Sequence, residues 1–205
     1  MQIDPENIAI PKLHHMILGA VAPRPIAFAS TIDKEGRPNL SPFSFFNAFG
    51  VNPTTLIFSP SRRGRDNTTK DTYENVIEVP EVVINVVTKD IVEKANVSSG
   101  EFPKGVNEFL EAGFTMLPSL KIKPFRVKES PVQFECKVRQ VIETGDGGGA
   151  ANLVICEILM MHIDDGILDE QGVIDPDKIR LVGRLGGDHY VDAFGKAIFD
   201  LRKPG

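Results

Sequence analysis

Cations and hydroxyls crowd one stretch of an otherwise acidic chain. In "SPSRRGRDNTTKDT", residues 59 to 72, Ser59, Ser61, Thr68, Thr69 and Thr72 are interleaved with Arg62, Arg63, Arg65 and Lys70, and only Asp66 and Asp71 oppose them. Such donors, set just before a helix start, are what a phosphomonoester needs, because the helix N-terminus adds unpaired N–H groups. The same composition also describes a solvated loop, and the loop alone leaves both readings open. One strand earlier, "SPFSFFNAFG" (residues 41 to 50) sets Phe43, Phe45, Phe46 and Phe49 among Ser41, Ser44 and Asn47. A half-buried strand would alternate cleanly. Phe43, Phe45 and Phe49 share a parity that would anchor a core. Phe46 breaks it beside Ser44 and Asn47, where the backbone is expected to bend around a ligand. Successive strands tend to be neighbours in space. Together the two stretches fit one ligand with an anionic end and a flat, hydrogen-bonding end.

Other chemistries lack their residues. The chain has no GxxxxGK[ST], no GxGxxG on a strand-to-helix turn, no HExxH and no GxSxG. "GRLGGD" (183 to 188) is too compact for a dinucleotide fingerprint. None of His14, His15, His162 and His189 has metal-ligand spacing, so no metal is expected. His162 reads as a satisfied structural histidine, and His14 and His15 as surface residues. Cys136 and Cys156 lie in apolar runs without CxxC spacing and read as core thiols. In "VQFECKV", Val132, Phe134, Cys136 and Val138 would face the core, with Gln133, Glu135 and Lys137 opposite. The net charge of -5 invites neither nucleic acid nor an anionic membrane. "MQIDPENIAI" lacks a signal-peptide pattern, and no run approaches the ~18 apolar residues of a membrane span. These features lead to the expectation of a reduced, cytoplasmic protein.

At 205 residues and 41% hydrophobic, one domain over 1–205 is expected. Residues 1–20 read as a loosely ordered arm with a short helix or turn, and 191–205 as a tail. From Pro25 the pattern is β: "PIAFAST", a "DKEGRP" turn, "NLSPFSFFNAFG" as one run, and "VNPTTLIFSP". "DTYENVIEV" predicts a short helix begun by Asp71 or Thr72, and "EVVINVV" a buried strand. "DIVEKANVSS" and "VNEFLEAG" read as short helices, the second capped near Gly113. "FRVKES", "VQFECKVRQVIET" and "ANLVICEILMMHID" read as strands. "GDGGG" (145 to 149) lies between two of them and reads as a flexible hairpin tip, not a phosphate loop. Many strands with few short helices predict a mainly β, antiparallel barrel.

From about Pro23 to Tyr190 the chain resembles the flavin reductase-like family, the group of flavoredoxins and two-component-monooxygenase reductases. "RPIAFASTIDKEGRPNLSPFSFFNAFGVNPTTLIFS", "KDTYENVIEVPEVVINVV", "VKESPVQFECKV" and "GRLGGDHY" carry the resemblance. It implies an antiparallel, Greek-key-like split β-barrel with short peripheral helices that holds FMN in a groove, usually at a homodimer interface. By the same resemblance Ser30 and Thr31 would lie near the isoalloxazine or ribityl chain. Ser44, Phe45, Phe46 and Asn47 would line the ring, largely through backbone groups. Ser59, Arg62, Thr69, Lys70 and Thr72 would hold the phosphate, Asp71 would cap the helix and orient the loop, and Asn75 is a more distant candidate. Arg184 would reach a substrate phosphate, while His189 and Tyr190 would cover the flavin's open face or meet a nicotinamide. Tail packing or a dimer contact is the competing account of these three.

The activity implied is an NAD(P)H-dependent flavin oxidoreductase, with NADH or NADPH as reductant and no catalytic side chain, since the flavin performs the hydride chemistry. A partner monooxygenase or redox protein would take the electrons. The alternatives are a non-enzymatic, flavoredoxin-like electron carrier and a barrel that has exchanged flavin for another ligand.

Overall fold

A computed structural model describes residues 1–204. In chain order the elements are α1 (Ile10–Ala20), β1 (Ala27–Ile32), β2 (Pro38–Phe43), β3 (Phe46–Val51), β4 (Thr54–Phe58), α2 (Asp71–Glu78), β5 (Glu81–Val86), α3 (Val92–Val97), α4 (Glu108–Glu111), β6 (Met116–Leu117), β7 (Arg126–Val127), β8 (Val132–Glu143), β9 (Asn152–Ile163), α5 (Pro176–Ile179), β10 (Val182–Arg184) and β11 (Tyr190–Asp192). Seven strands form one antiparallel sheet in the order β2-β1-β5-β8-β9-β4-β3.

That order explains the barrel. β2 and β3 are consecutive in the chain yet occupy opposite edges of the sheet, with only Ser44 and Phe45 between them. Three peptide steps span at most about 11 Å. A flat seven-stranded sheet would be several times wider, since neighbouring strands lie about 4.8 Å apart. The sheet therefore curls until its edges approach at residues 43–46 and stays unpaired there, leaving a seam. Phe43 on one edge and Phe58 on β4 meet across the interior, ring centroids 5.6 Å apart. Pro38 and Pro42 are tolerated because β2 is an edge strand, where a missing N–H need not break a ladder.

The barrel interior holds Ala27, Ala29, Phe43, Phe58, Val82, Ile84, Cys136, Val154 and Cys156, with Val76 of α2 closing one end. Phe58 is fully buried, and its loss to Ala would cost about 3–5 kcal/mol. A second cluster covers the outer face of β1 and β2, where Phe28 and Leu40 pack beneath Ile91, Ala95 and Phe109 from the α3 and α4 region. Every residue of β1 is accordingly buried. Both thiols sit in the barrel core, and burial pushes the Cys156 thiol up to about 12.

Several expectations change. "NLSPFSFFNAFG" is two strands, because the chain leaves one sheet edge and joins the other at Ser44–Phe45. That step resets the parity: Phe43 and Phe46 pack on the core, while Phe45 is 37% and Phe49 64% exposed. The arm is largely α1, tied to the barrel by Arg24, which donates from Nη1 to the carbonyls of Leu18 (2.7 Å) and Val21 (2.6 Å). The alternation of β8 holds, with Phe134, Cys136 and Val138 on the core cluster, but its opposite face is covered, not solvated. Gln133 and Glu135 on that face lie buried beneath the segment that carries β6 and β7. "FRVKES" pairs only at Arg126–Val127. The start of the tail pairs back as β11 on β10.

Candidate functional site

Of the clefts that adjoin β2, two share Ser99. The first, of about 320 Å³, opens between β2, the start of α2 and the segment after α3; Asn39, Ser41, Arg63, Arg65, Lys70, Thr72 and Ser98 line it. The second, of about 170 Å³, lies at the seam, with Pro42, Ser44, Asn96, Arg184 and Tyr190 on its walls.

The cationic loop is built to present some of its charges and spend others. Arg62 turns back onto its own loop, donating from Nε to Asn67 Oδ1 and from Nη2 to Asn67 O, both at 2.7 Å. This shapes the turn in which Asn67 takes φ 59°. Arg63 donates to Thr68 Oγ1 at 3.1 Å and to the Thr69 carbonyl. Arg65 pairs with Asp66 and Glu101. Lys70 is the exception: half-buried, with no hydrogen bond or ion pair among the described residues. Burial and then Arg63 pull its pKa below the ordinary lysine range. Lys70 also occupies the N-cap position of α2 with no side-chain cap, so the first N–H groups of that helix have no side-chain acceptor. The cleft thus holds an unpaired cation beside open helix donors, with Arg63 near them. Glu108, which also lines it, accepts from the N–H of Leu40 at 3.0 Å, and burial pushes its pKa up.

The residues proposed on sequence grounds divide by placement. Lys70, Asp71 and Thr72 line the first cleft; Ser44, Arg184 and Tyr190 line the second. Asp71 stands in the first turn of α2 and makes no capping bond. Ser30 and Thr31 are buried in β1 and line neither cleft; Thr31 Oγ1 accepts from Asn75 Nδ2 at 3.0 Å, locking α2 to the barrel. Thr72 is 1% exposed, and its Oγ1 accepts from Asn39 Nδ2 at 3.1 Å. Ser59 is likewise buried and receives the N–H of Asn152 at 3.2 Å. Thr69 donates to Glu74 at 2.8 Å. The Phe45 carbonyl accepts from the N–H of Ser59 at 2.9 Å, and its exposed ring meets His14 edge-on at 6.3 Å. Phe46 and Asn47 open β3, where Asn47 Oδ1 accepts from the N–H of Ala48 at 2.8 Å. His189 is exposed at the tip of the β10–β11 hairpin.

Sequence reasoning missed Arg24, Asn96 and Ser99. Arg24 is 4% exposed, and its guanidinium serves the carbonyls of Leu18, Val21 and Leu185 together with Ser44 Oγ. An arginine directly before an apolar strand, "PRPIAFA", was the only available signal for it. Sequence reasoning also missed the seat of the glycine-rich tip. The N–H of Gly149 donates to Arg62 O at 3.1 Å and that of Arg62 to Ala150 O at 3.0 Å. A Cβ on Gly148 would lie 3.1 Å from the Gly64 carbonyl. The tip therefore docks on the cationic loop instead of moving freely.

Comparison with known proteins agrees with this architecture. Residues 19–181 match the family model for the flavin reductase like domain. An uncharacterised protein of Aquifex aeolicus is 43% identical over 184 residues, covering 90% of this chain and 91% of that protein. Nitrilotriacetate monooxygenase component B from Bacillus cereus superposes with a TM-score of 0.90 at 28% identity, over 98% of both chains. A flavin reductase with a split barrel domain from Shewanella frigidimarina gives 0.81 at 25% identity over the full length of both chains. The chain belongs to the flavin reductase-like family and has its split-barrel fold.

Proposed function

We propose that this oxidoreductase binds FMN along β2 and passes a hydride or electrons from NADH or NADPH through it. The observation that carries the reading is the unpaired, half-buried Lys70 at the open N-terminus of α2, in a cleft that adjoins the seam at Ser99. The residues fit the group. Lys70, Arg63 and the first N–H groups of α2 would take the phosphate. Ser41 would face the ribityl chain, and the backbone of Phe45, Phe46 and Asn47 would face the ring. When bound, FMN supplies the hydride-accepting position, so the protein needs no acid–base triad. Its own work is to hold and orient. Arg62 shapes the loop, the Asn75–Thr31 and Asn39–Thr72 hydrogen bonds fix α2 against β1 and β2, and the docked glycine tip braces the loop from outside.

The reading extends to a homodimer built on the exposed edge strand β3, and to electron delivery to a partner monooxygenase, the role that the name of the Bacillus cereus neighbour suggests. Two free, buried thiols fit a reducing, cytoplasmic setting. No helix among the described residues is long and apolar enough to cross a membrane. The deciding measurement is the visible spectrum of the protein with one equivalent of FMN, followed by anaerobic addition of NADH or NADPH. The expected result is a bound-flavin spectrum that bleaches with one of them. Failure to bind FMN overturns the flavin reading, and binding without bleaching by either reductant leaves the flavoredoxin-like carrier.

A further inference from the structure

The second cleft has a charge asymmetry that FMN phosphate binding does not use. Arg24 is buried with four hydrogen bonds, yet all go to carbonyls or a hydroxyl and none to a carboxylate. Such a guanidinium keeps its full positive charge in a low-dielectric setting. The adjoining strand brings a second one. The N–H of Arg184 donates to Arg24 O at 2.8 Å and that of Arg24 to Arg184 O at 2.9 Å, which ties the two backbones together. The Arg184 guanidinium has no hydrogen bond or ion pair among the described residues. It lies over the Tyr190 ring, 4.7 Å from the centroid, held by the aromatic face and open toward the cleft. Burial, and then Arg184, lowers the pKa of Arg24, so the two cations act on each other. Among the described residues, no acidic side chain lines this cleft. One wall is apolar, made by Ile26, Pro42, Val87 and Val92, and the other offers Ser44, Asn96 and Ser99.

We propose that this cleft is a substrate subsite for a small planar organic acid. Arg184 takes the carboxylate, Arg24 supplies a fixed supporting charge, and the apolar wall takes the flat body of the molecule. As a binding site it rests on the cleft alone; as a substrate site it rests on the flavin reading above. A planar acid suits the cleft better than inorganic phosphate, because phosphate would leave the apolar wall unused. The delocalised guanidinium also matches a carboxylate in a two-pronged contact.

The test is calorimetric titration of benzoate into the full-length protein, both with and without FMN. Saturable one-to-one binding is expected, with benzamide and inorganic phosphate giving no comparable heat. Arg184→Gln should weaken benzoate binding roughly 10- to 100-fold. Arg184→Lys should recover part of the loss, since it restores the charge without the fork. Because the Arg184 side chain makes no hydrogen bond among the described residues and only stacks on Tyr190, both variants should fold, with a melting temperature lowered by no more than a few degrees. No benzoate binding, equal binding of benzamide, phosphate binding in its place, or unchanged affinity in Arg184→Gln each overturns the proposal. If FMN binds and benzoate does not, the acid subsite alone fails. If benzoate binds through Arg184 and FMN does not, the flavin reading fails and the acid site stands.

Discussion

Lys70 carries more of the site than any other side chain, and its neighbours show why. Three arginines share its loop, but Arg62 is bound to Asn67, Arg63 partly to Thr68 and Thr69, and Arg65 to Asp66 and Glu101. Among the cations of the described residues, only Lys70 reaches the cleft with all its donors free, already partly desolvated. A charged group in that position gains most from a phosphate dianion, because the cost of its burial has been met by the fold. A hydrogen bond to a charged group contributes about 1.5–3 kcal/mol, or roughly a 10- to 150-fold change in affinity. Lys70→Ala is therefore expected to weaken FMN by about that factor and riboflavin, which lacks the phosphate, far less. Fluorescence titrations of both flavins check this, and equal losses would remove Lys70 from the phosphate contact. At this scale the sequence was half legible. The clustering of cations and hydroxyls in 59–72 marked the right loop. Which cations were free was not readable, because it depends on the fold of the loop and on Glu101, 36 residues beyond Arg65.

At the scale of elements, β8 shows how a covering segment changes the chemistry of a strand's outer face. Alternation places Glu135 on the face away from the barrel core, and residues 118–126 cover that face and leave it fully buried. Its carboxylate accepts from the N–H groups of Leu120 (2.8 Å) and Lys121 (2.6 Å) and from His162 Nε2 (2.7 Å). Burial works to raise the Glu135 pKa, and these donors more than reverse it, so the value lies below the ordinary carboxylate range. A depressed folded pKa gives stability that is complete above the unfolded value of about 4.3 and is lost as pH falls through the folded value. Glu135→Gln should cost about 1–3 kcal/mol at neutral pH, because an amide cannot accept at both oxygens. The gap between variant and wild type should close as the pH drops below about 4. Urea unfolding across a pH series measures it, and a constant gap would show that the carboxylate charge does not hold this segment. Periodicity found the strands and α2 because their apolar spacing is local. It missed the cover over Gln133 and Glu135, the docking of the glycine tip and the parity reset at Ser44–Phe45, because long-range partners set each of these.

For the whole molecule, the edge-to-edge layout of the sheet leaves one strand conspicuous. β2 is flanked by α2, α3 and α4, whereas β3 on the other edge is almost entirely exposed. Phe49 and Val51 on it are 64% and 90% exposed, and Leu159, Met161 and Ile163 on β9 add further open apolar surface. An uncovered edge strand with large apolar side chains would template aggregation in a monomer, so a stable protein needs it occupied. The homodimer proposed above is the occupant that the isolated chain can supply, and it would need to cover at least about 1,000 Å² in total. Sedimentation of the wild-type protein should then give twice the 22.5 kDa chain mass. Val51→Lys together with Phe49→Asp sets two charges on this edge, away from the barrel core, and should shift the protein to monomer at micromolar concentration. Neither residue lines the clefts beside β2. FMN affinity measured on the monomeric variant thus reports whether the second copy completes the flavin groove. A fall in affinity that tracks dissociation places the groove at the interface. Wild-type protein that sediments as a monomer would overturn the dimer and leave the exposed β3 edge to another partner, with the partner monooxygenase first to be tried.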